Sequence, residues 1–423
     1  MNFTLASLLL PFFLLAVPIA ISIILVSVIA VYFFTSIPLV VVPQRMFVGL
    51  DSFPLMAIPF FILAGNIMAS GGISNSLVEF AKSIIGRVQG GLAATCVLTC
   101  LFFAAVSGSS IATTFAIGAI LIPAMVKQGY PKPMAAAIQA SSAELGVLIP
   151  PSIPLILYGI STDTSIGDLF IATLLPGTIV ALGLIICVLV WVRIKGLGKN
   201  DAEGCPHFTL AFKSAIGALM MPIIILGGIY GGIFTPTEAS AVAVVYALAL
   251  TIINKSFSVT GIIEILKKTA RSTTVVMIVI SAAALFSFLI SLSGVTDDLV
   301  AMISSSVDSK ISFLIMVNIF LFFIGMFVET SAAILIFAPI MAPLALFYGV
   351  DPVHFGIIMV VNLALGMFTP PLGVNLFAAS QVADLPVEKM LTPLIPLVTT
   401  VIICLAIITW FPGLSLWLPE LIK

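Results

Sequence analysis

The glycines and prolines of this chain recur about 220 residues apart. Gly146-Val-Leu-Ile-Pro150-Pro151 returns as Gly366-Met-Phe-Thr-Pro370-Pro371, an offset of 220. At the same offset Pro123 meets Pro343, Gly129 meets Gly349 and Ala112 meets Ala332. Upstream, Gly72-Ile-Ser-Asn-Ser-Leu77-Val78 matches Gly294-Val-Thr-Asp-Asp-Leu299-Val300 at an offset of 222. Shared Leu or Ile would carry little weight in so apolar a chain. Gly and Pro carry more, because they mark special backbone positions. Two halves, each with a Pro-Pro break inside an apolar segment, are the pattern of secondary transporters built around a midplane site.

Composition excludes most other classes. With 61% hydrophobic and 8% charged residues, long apolar runs recur from end to end, and the lipid bilayer is the expected solvent. A net charge of −1 and the lack of a basic stripe leave no nucleic-acid partner. The run of residues 5–33 precedes the first cation, Arg45, and is too long for the apolar core of a signal peptide. Cys96 and Cys100 share a helix face, but without a nearby His or carboxylate they make no metal site. His207 and His354 read as loop residues far from any Cys pair or Ser-Asp arrangement, so hydrolase and metal-enzyme readings find no support and no enzyme is expected.

Hydropathy places spanning helices at roughly 5–33, 53–70, 168–195, 211–232, 237–254, 272–293 and 390–411, with spans 133–159 and 353–380 broken at their Pro-Pro pairs. Segments 90–127 and 310–348 are interrupted at their centres by Ser107-Gly108-Ser109-Ser110 and Glu329-Thr330-Ser331. Two half-length helices meeting at a polar tip, a re-entrant hairpin, account for this; non-helical backbone at that depth is tolerated only inside protein or a wet cavity. With both hairpins returning to the side they left and the N-terminus cytoplasmic, thirteen of the sixteen Lys and Arg fall inside; only Arg45, Lys310 and Lys423 fall outside. The helix at 53–70 and its mate at 272–293 are then an odd number of crossings apart. The repeats are therefore inverted, and the C-terminus is expected on the outer side. The expected fold is an all-α polytopic membrane protein of inverted repeats, each with a hairpin and a Pro-broken helix. Amphipathic stretches at 76–87 and 296–308, the second opening on Thr296-Asp297-Asp298, precede the hairpins and suit the membrane interface.

The tips and breaks free backbone carbonyls that no helix satisfies. With the hydroxyls of Ser107, Ser109, Ser110 and Thr113 beside Gly108, the first half has an all-oxygen cluster suited to a hard cation such as Na⁺. The second half offers Thr330, Ser331, Thr369 and the carbonyls around Gly366–Pro370, and Asn375 follows the second break. For each hydroxyl singly, plain bonding to backbone in closely packed helices remains open. Glu144 and Glu329 are the acids at membrane depth, where an ionisable group is a functional hypothesis by default. Glu329 also has the place of a cap on the following arm, and Glu144 that of a partner for a neighbouring helix end. With no Arg or Lys at depth, an anion would be held by helix N-termini, hydroxyls and bound cations. The run Gly227-Gly228-Ile-Tyr-Gly231-Gly232-Ile-Phe-Thr235-Pro236-Thr237-Glu238 reads as scaffold: a capping box on the next helix, with Gly pairs permitting close helix contact.

Ser107-Gly-Ser-Ser-Ile-Ala-Thr113, Gly146-Val-Leu-Ile-Pro-Pro-Ser152, Gly227–Glu238 and Gly366-Met-Phe-Thr-Pro-Pro-Leu-Gly-Val-Asn375 closely resemble the large membrane subunit of tripartite ATP-independent periplasmic (TRAP) transporters, over nearly the whole chain. The resemblance implies an elevator-type carrier of the ion transporter superfamily in the bacterial inner membrane. Its function would be Na⁺-coupled import of an organic acid of the sialic acid or C4-dicarboxylate class. It also implies a separate small four-helix membrane subunit and a soluble periplasmic binding protein. The runner-up is a carboxylate/Na⁺ symporter of the same superfamily that needs no binding protein.

At least two Na⁺ sites are expected, one between each tip and the following break. The first falls on Ser107, Gly108, Ser109, Ser110, Thr113, Gly146, Ile149 and Pro150; the second on Glu329, Thr330, Ser331, Gly366, Thr369 and Pro370. The expected substrate residues are Ser109, Ser110, Ser152, Thr330, Ser331 and Asn375. The moving part is expected at about 90–159 and 310–380, against a scaffold of 1–89, 160–309 and 381–423.

Overall fold

Lipid satisfies no backbone hydrogen bond, so a spanning chain must satisfy its own. The computed structural model does this with helices alone among the residues it describes, which are all but 1–10, 13–14, 16, 200, 202–203, 255–258, 295–301, 304–306, 308 and 423. Before the first hairpin come α1 (Ile19–Phe34), α2 (Val41–Val48), a 3₁₀ turn at Phe53–Met56, α3 (Ala57–Ser70) and α4 (Ile73–Ile85). The first hairpin is α5 (Gly91–Ser107) and α6 (Ser110–Lys127), and the broken helix after it is α7 (Lys132–Ser142), α8 (Leu145–Leu148) and α9 (Ile153–Thr162). Then follow α10 (Ile166–Ile194), α11 (Phe208–Tyr230), α12 (Pro236–Ile253) and α13 (Val259–Ser293). The second hairpin is α14 (Lys310–Phe327) and α15 (Thr330–Phe347), its broken helix α16 (Pro352–Met367) and α17 (Val374–Ala383), and the chain closes with α18 (Leu391–Trp410) and α19 (Gly413–Ile422). Nine helices among the described residues are long and apolar enough to cross a membrane, a set that includes hairpin arms.

The repeat is visible in the backbone. Gly129 and Gly349 sit at φ 87° and 70°, and Gly72 and Gly294 at 74° and 67°, where an L side chain would be strained. Pro123 and Pro343 lie inside the second arms of the two hairpins. Ser109 caps α6 and its counterpart Glu329 caps α15. The peptide bonds Pro150-Pro151 and Pro370-Pro371 are both cis.

Several expectations change. The described residues of the first span leave the helix at Val17 and Pro18 and re-enter it at Ile19, so 5–33 is not one continuous helix. The helix expected at 272–293 begins at Val259 and has 35 residues. The hairpin arms have 17 or 18 residues rather than half a span, so they begin outside the hydrocarbon or lie tilted. The tip of the first nonetheless sits at depth: a Cβ on Gly65, inside the apolar span Phe53–Ser70, would be 3.2 Å from Ser107 Cα. His354 is not in a loop but in the first turn of α16, 1% exposed, its Nδ1 3.2 Å from Ser415 Oγ. The capping box at Thr235 and Glu238 is present, but the glycines before it shape the turn instead of a helix contact. Gly228 makes room for the Phe234 ring and Gly232 takes φ 66°. The stretch 76–85 belongs to α4, which ends before Gly86 and Arg87, whereas Thr296-Asp297-Asp298 and most of its mate lie outside the described residues.

The helices pack in two groups. α3 packs on α12 and α13, and α11 on α12 and α4, forming one layer. α1, α2 and α13 build a second apolar cluster reached from the hairpins by Ile336. By contrast α10 packs on α5, α9, α16, α18 and α19, and α18 on α7 and α16. Helices α10, α18 and α19, expected in the scaffold, therefore surround the broken helices.

A single carboxylate fastens the α10–α11 connection to the hairpin entrance. Asp201, 2% exposed, accepts from the Leu92 N–H at 3.1 Å and from the Tyr130 hydroxyl at 2.6 Å, both on Oδ2. Burial first, and then the Asp201 carboxylate, push the Tyr130 phenol up, which keeps it a donor. Asp201→Ala leaves a buried amide and hydroxyl unpaired, so we expect a loss of about 2–3 kcal/mol. Thermal unfolding of the purified protein checks this, with Lys195→Ala, an exposed site on the same connection, expected near wild type.

Candidate functional site

The first half-site forms where the α5–α6 tip meets the break after α8. Gly108 turns the chain at φ 61°, and a Cβ there would be 2.5 Å from the Pro151 carbonyl oxygen. Gly146 is as tightly placed: a Cβ would be 2.8 Å from both Ser109 O and Thr113 Oγ1. Thr113 Oγ1 donates to Ser109 O at 2.8 Å, and Ser107 Oγ to the same oxygen at 3.4 Å. A hydroxyl that donates its only proton to a carbonyl keeps its lone pairs for a cation. Ile149 is extended at φ −84° and ψ 131°, ending α8 before Pro150. Gln139, fully buried, holds the hairpin to α7 through Thr113 O at 3.3 Å and the thiols of Cys96 and Cys100.

The second half-site repeats the plan more tightly. Gly325 near the tip and Gly366 before the break touch backbone to backbone, with a Cβ on Gly366 lying 2.2 Å from the Gly325 carbonyl carbon. The Gly373 N–H then donates to Met326 O at 3.3 Å. Glu329 accepts from the Ser331 and Ala332 N–H groups at 2.9 and 3.2 Å and from Ser331 Oγ at 2.9 Å. Glu329 thus caps α15. Thr369 Oγ1 donates to Leu365 O at 2.7 Å beside Pro370. Thr330 Oγ1 is buried without a partner.

The halves interlock. α17, after the second break, packs on α6 and α7 of the first repeat; α9, after the first break, packs on α15 of the second. Ser110 Oγ lies 3.6 Å from Met367 Sδ, so the first tip touches the second break. Asn375 on α17 is fully buried with neither amide atom hydrogen-bonded. Ser152 is also fully buried, but its hydroxyl caps α9, donating to Val147 O and accepting from the Leu155 N–H at 3.4 Å. The structure thus gathers Ser107 to Thr113 with Gly146 and Pro151, and Glu329 to Ser331 near Gly366 to Asn375. It adds Met367, Gly65 and Gly325, which motif reading passed over.

Glu144 stands apart. Both carboxylate oxygens are fully buried without a hydrogen-bond partner. A second polar feature, Asn362 Nδ2 donating to Asn318 O at 2.9 Å and Oδ1 at 2.8 Å, ties α16 to α14. No Lys or Arg is buried among the described residues.

Residues 6–414 match the family model described as "Tripartite ATP-independent periplasmic transporter, DctM component". The isethionate TRAP transporter permease protein DctMQ of Oleidesulfovibrio alaskensis is 41% identical over 96% of this chain, which spans 64% of that longer relative. The C4-dicarboxylate TRAP transporter large permease protein DctM of Pseudomonas aeruginosa is 39% identical over 89% of this chain and 88% of its own length. The sialic acid TRAP transporter large permease protein SiaM of Vibrio cholerae is 36% identical over 89% of each chain. In fold, the chain resembles the YdaH transporter of Alcanivorax borkumensis, with a TM-score of 0.63, 17% identity and coverage of 90% and 88%. With the motifs, the inverted hairpin-and-break repeats and these relatives in agreement, the chain belongs to the DctM family and is the large membrane permease of a tripartite ATP-independent periplasmic transporter.

Proposed function

We propose that the chain imports a small organic anion across the bacterial inner membrane, N-terminus cytoplasmic and C-terminus periplasmic, coupled to at least two Na⁺. The substrates named for its relatives, C4-dicarboxylates, sialic acid and isethionate, share an ionised acid group on a small polar skeleton. A soluble periplasmic binding protein delivers the substrate, and a small four-helix membrane subunit packs on the scaffold layer. One observation carries the reading: unpartnered buried oxygens and amide atoms at Thr330 and Asn375 lie beside two helix N-termini, with no buried Lys or Arg. An anion in such a place draws on helix dipoles and on bound cations for its countercharge. Na⁺ suits neutral oxygen donors, which the hydroxyls of Ser107, Thr113 and Thr369 and the carbonyls at the breaks supply.

In this reading α5–α9 and α14–α17 move as one block, and the packing of α10, α18 and α19 extends the block to them. Helices α1–α4 and α11–α13 stay fixed. The contact to immobilise is α3 against α5, where Gly65 meets the backbone of Val106 and Ser107. In a cysteine-free background, a Gly65→Cys and Val106→Cys pair should stop uptake when oxidised and restore it when reduced, with binding-protein docking intact. Undiminished uptake by the oxidised pair overturns the moving-block assignment. Reconstituted without the small subunit and binding protein, the chain should move little substrate; full activity alone would favour the self-sufficient symporter.

A further inference from the structure

Helix α13 is too long for the membrane it crosses. Its 35 residues give a length of about 52 Å. The hydrocarbon core is about 30 Å thick and takes about 20 residues. Counted back from Ser293, the hydrocarbon ends near Thr274, which sets Arg271, Lys268 and Lys267 about 5–10 Å beyond it, at the depth of the lipid headgroups. Thr269 faces inward, 7% exposed, and its hydroxyl accepts from Asn66 Nδ2 on α3 at 3.0 Å. The basic face is therefore turned outward and held by a fixed contact.

That face is open and carries most of the charge of this end of the helix. Glu264, Lys267, Lys268, Arg271, Ser272 and Val275 line a shallow, open groove along it. Three cations stand beside a single acid there, which leaves an excess of positive charge. Val275, 62% exposed, and Ile278, 46% exposed, continue the same face into the hydrocarbon. Cations at headgroup depth above an apolar, outward-facing ridge match an amphiphile with an anionic head and acyl chains. A free anion would need only the upper half.

We propose that this open basic face is a binding site for an anionic phospholipid, its phosphate held by Lys267, Lys268 and Arg271 and its chains laid along Val275 and Ile278. The ligand sits in the leaflet where the basic end of α13 emerges, and it pins the part of the chain that does not move. Each cation near a membrane surface contributes about a fivefold gain in affinity, so the three together give on the order of a hundredfold. Salt should weaken the interaction, because the site is open and screened.

The test titrates short-chain phosphatidylglycerol into the detergent-purified full chain and counts bound lipid by native mass spectrometry. Short-chain phosphatidylcholine and inorganic phosphate serve as comparison probes. The proposal expects phosphatidylglycerol to bind more tightly than either, with on the order of a hundredfold loss in the triple variant K267Q/K268Q/R271Q. The single variant Arg271→Gln, at an exposed position, should lose about fivefold, and Lys213→Gln on α11 should bind as wild type. Equal binding by the triple variant and wild type overturns the site. Inorganic phosphate that competes as well as the lipid overturns the lipid assignment, and loss of equal size in Lys213→Gln overturns its localisation.

Discussion

Gly366→Ala should abolish uptake at every Na⁺ concentration. The methyl group would lie 2.2 Å from the Gly325 carbonyl carbon, 2.4 Å from its Cα and 2.6 Å from its oxygen. These are backbone atoms of α14, so no side chain can swing aside; the two helices must separate by more than an ångström to reach ordinary contact distances. Overpacking of this kind costs about 1–3 kcal/mol, and more where backbone must shift. The displacement falls on the break that carries Thr369 and Pro370 and on the Gly373 contact to Met326. Stability and the second half-site should therefore fail together. Gly227→Ala is the matched control: it is helical, a Cβ there meets nothing within 4 Å, and it should unfold at the same temperature or higher. Thermal unfolding and uptake measured on both variants check the prediction; a fully active Gly366→Ala protein would contradict the packing at this crossing.

The second large effect concerns the hydroxyls proposed to bind the cation. Thr369→Val keeps the side-chain shape and removes the hydroxyl that donates to Leu365 O while offering lone pairs outward. Ser110→Val removes the hydroxyl at the junction of the first tip and Met367. A hydrogen-bond-like contact to a charged partner contributes about 1.5–3 kcal/mol, so the Na⁺ concentration for half-maximal uptake should rise at least tenfold in each variant. Maximal uptake at high Na⁺ should be recoverable, since neither residue caps a helix end that the fold depends on. Unchanged Na⁺ dependence in both would remove these hydroxyls from the cation sites.

The readable and unreadable parts of this chain separate along physical lines. The repeat was legible because Gly129 and Gly349, and Gly72 and Gly294, occupy backbone conformations that only glycine adopts without strain, and Pro-Pro pairs cannot continue a helix. The hairpin tips were legible because polar residues interrupt apolar runs. The attachment of α10 and α18 to the broken helices was not, because a helix apolar on all sides carries no record of which side meets protein. Nor was the Asn318–Asn362 contact, since each Asn is a lone polar residue in its own span and nothing local names the partner. His354 was misplaced although Asp351 and Pro352 form a regular helix start; the fold then covers the imidazole with Ser415 from the far end of the chain. The spacing of the Gly227–Gly232 run suits helix packing, yet the glycines there make room for Phe234 and for a turn.

Cation-coupled transport is the central claim, and ion-gradient uptake measures it most directly. The complete complex, with its small subunit and binding protein, is reconstituted into proteoliposomes and supplied with labelled substrate. An inward Na⁺ gradient should drive accumulation, an inside-negative potential should accelerate it for a singly charged anion, and a proton gradient in Na⁺-free medium should drive none. Accumulation on the proton gradient alone, without Na⁺, would contradict the account.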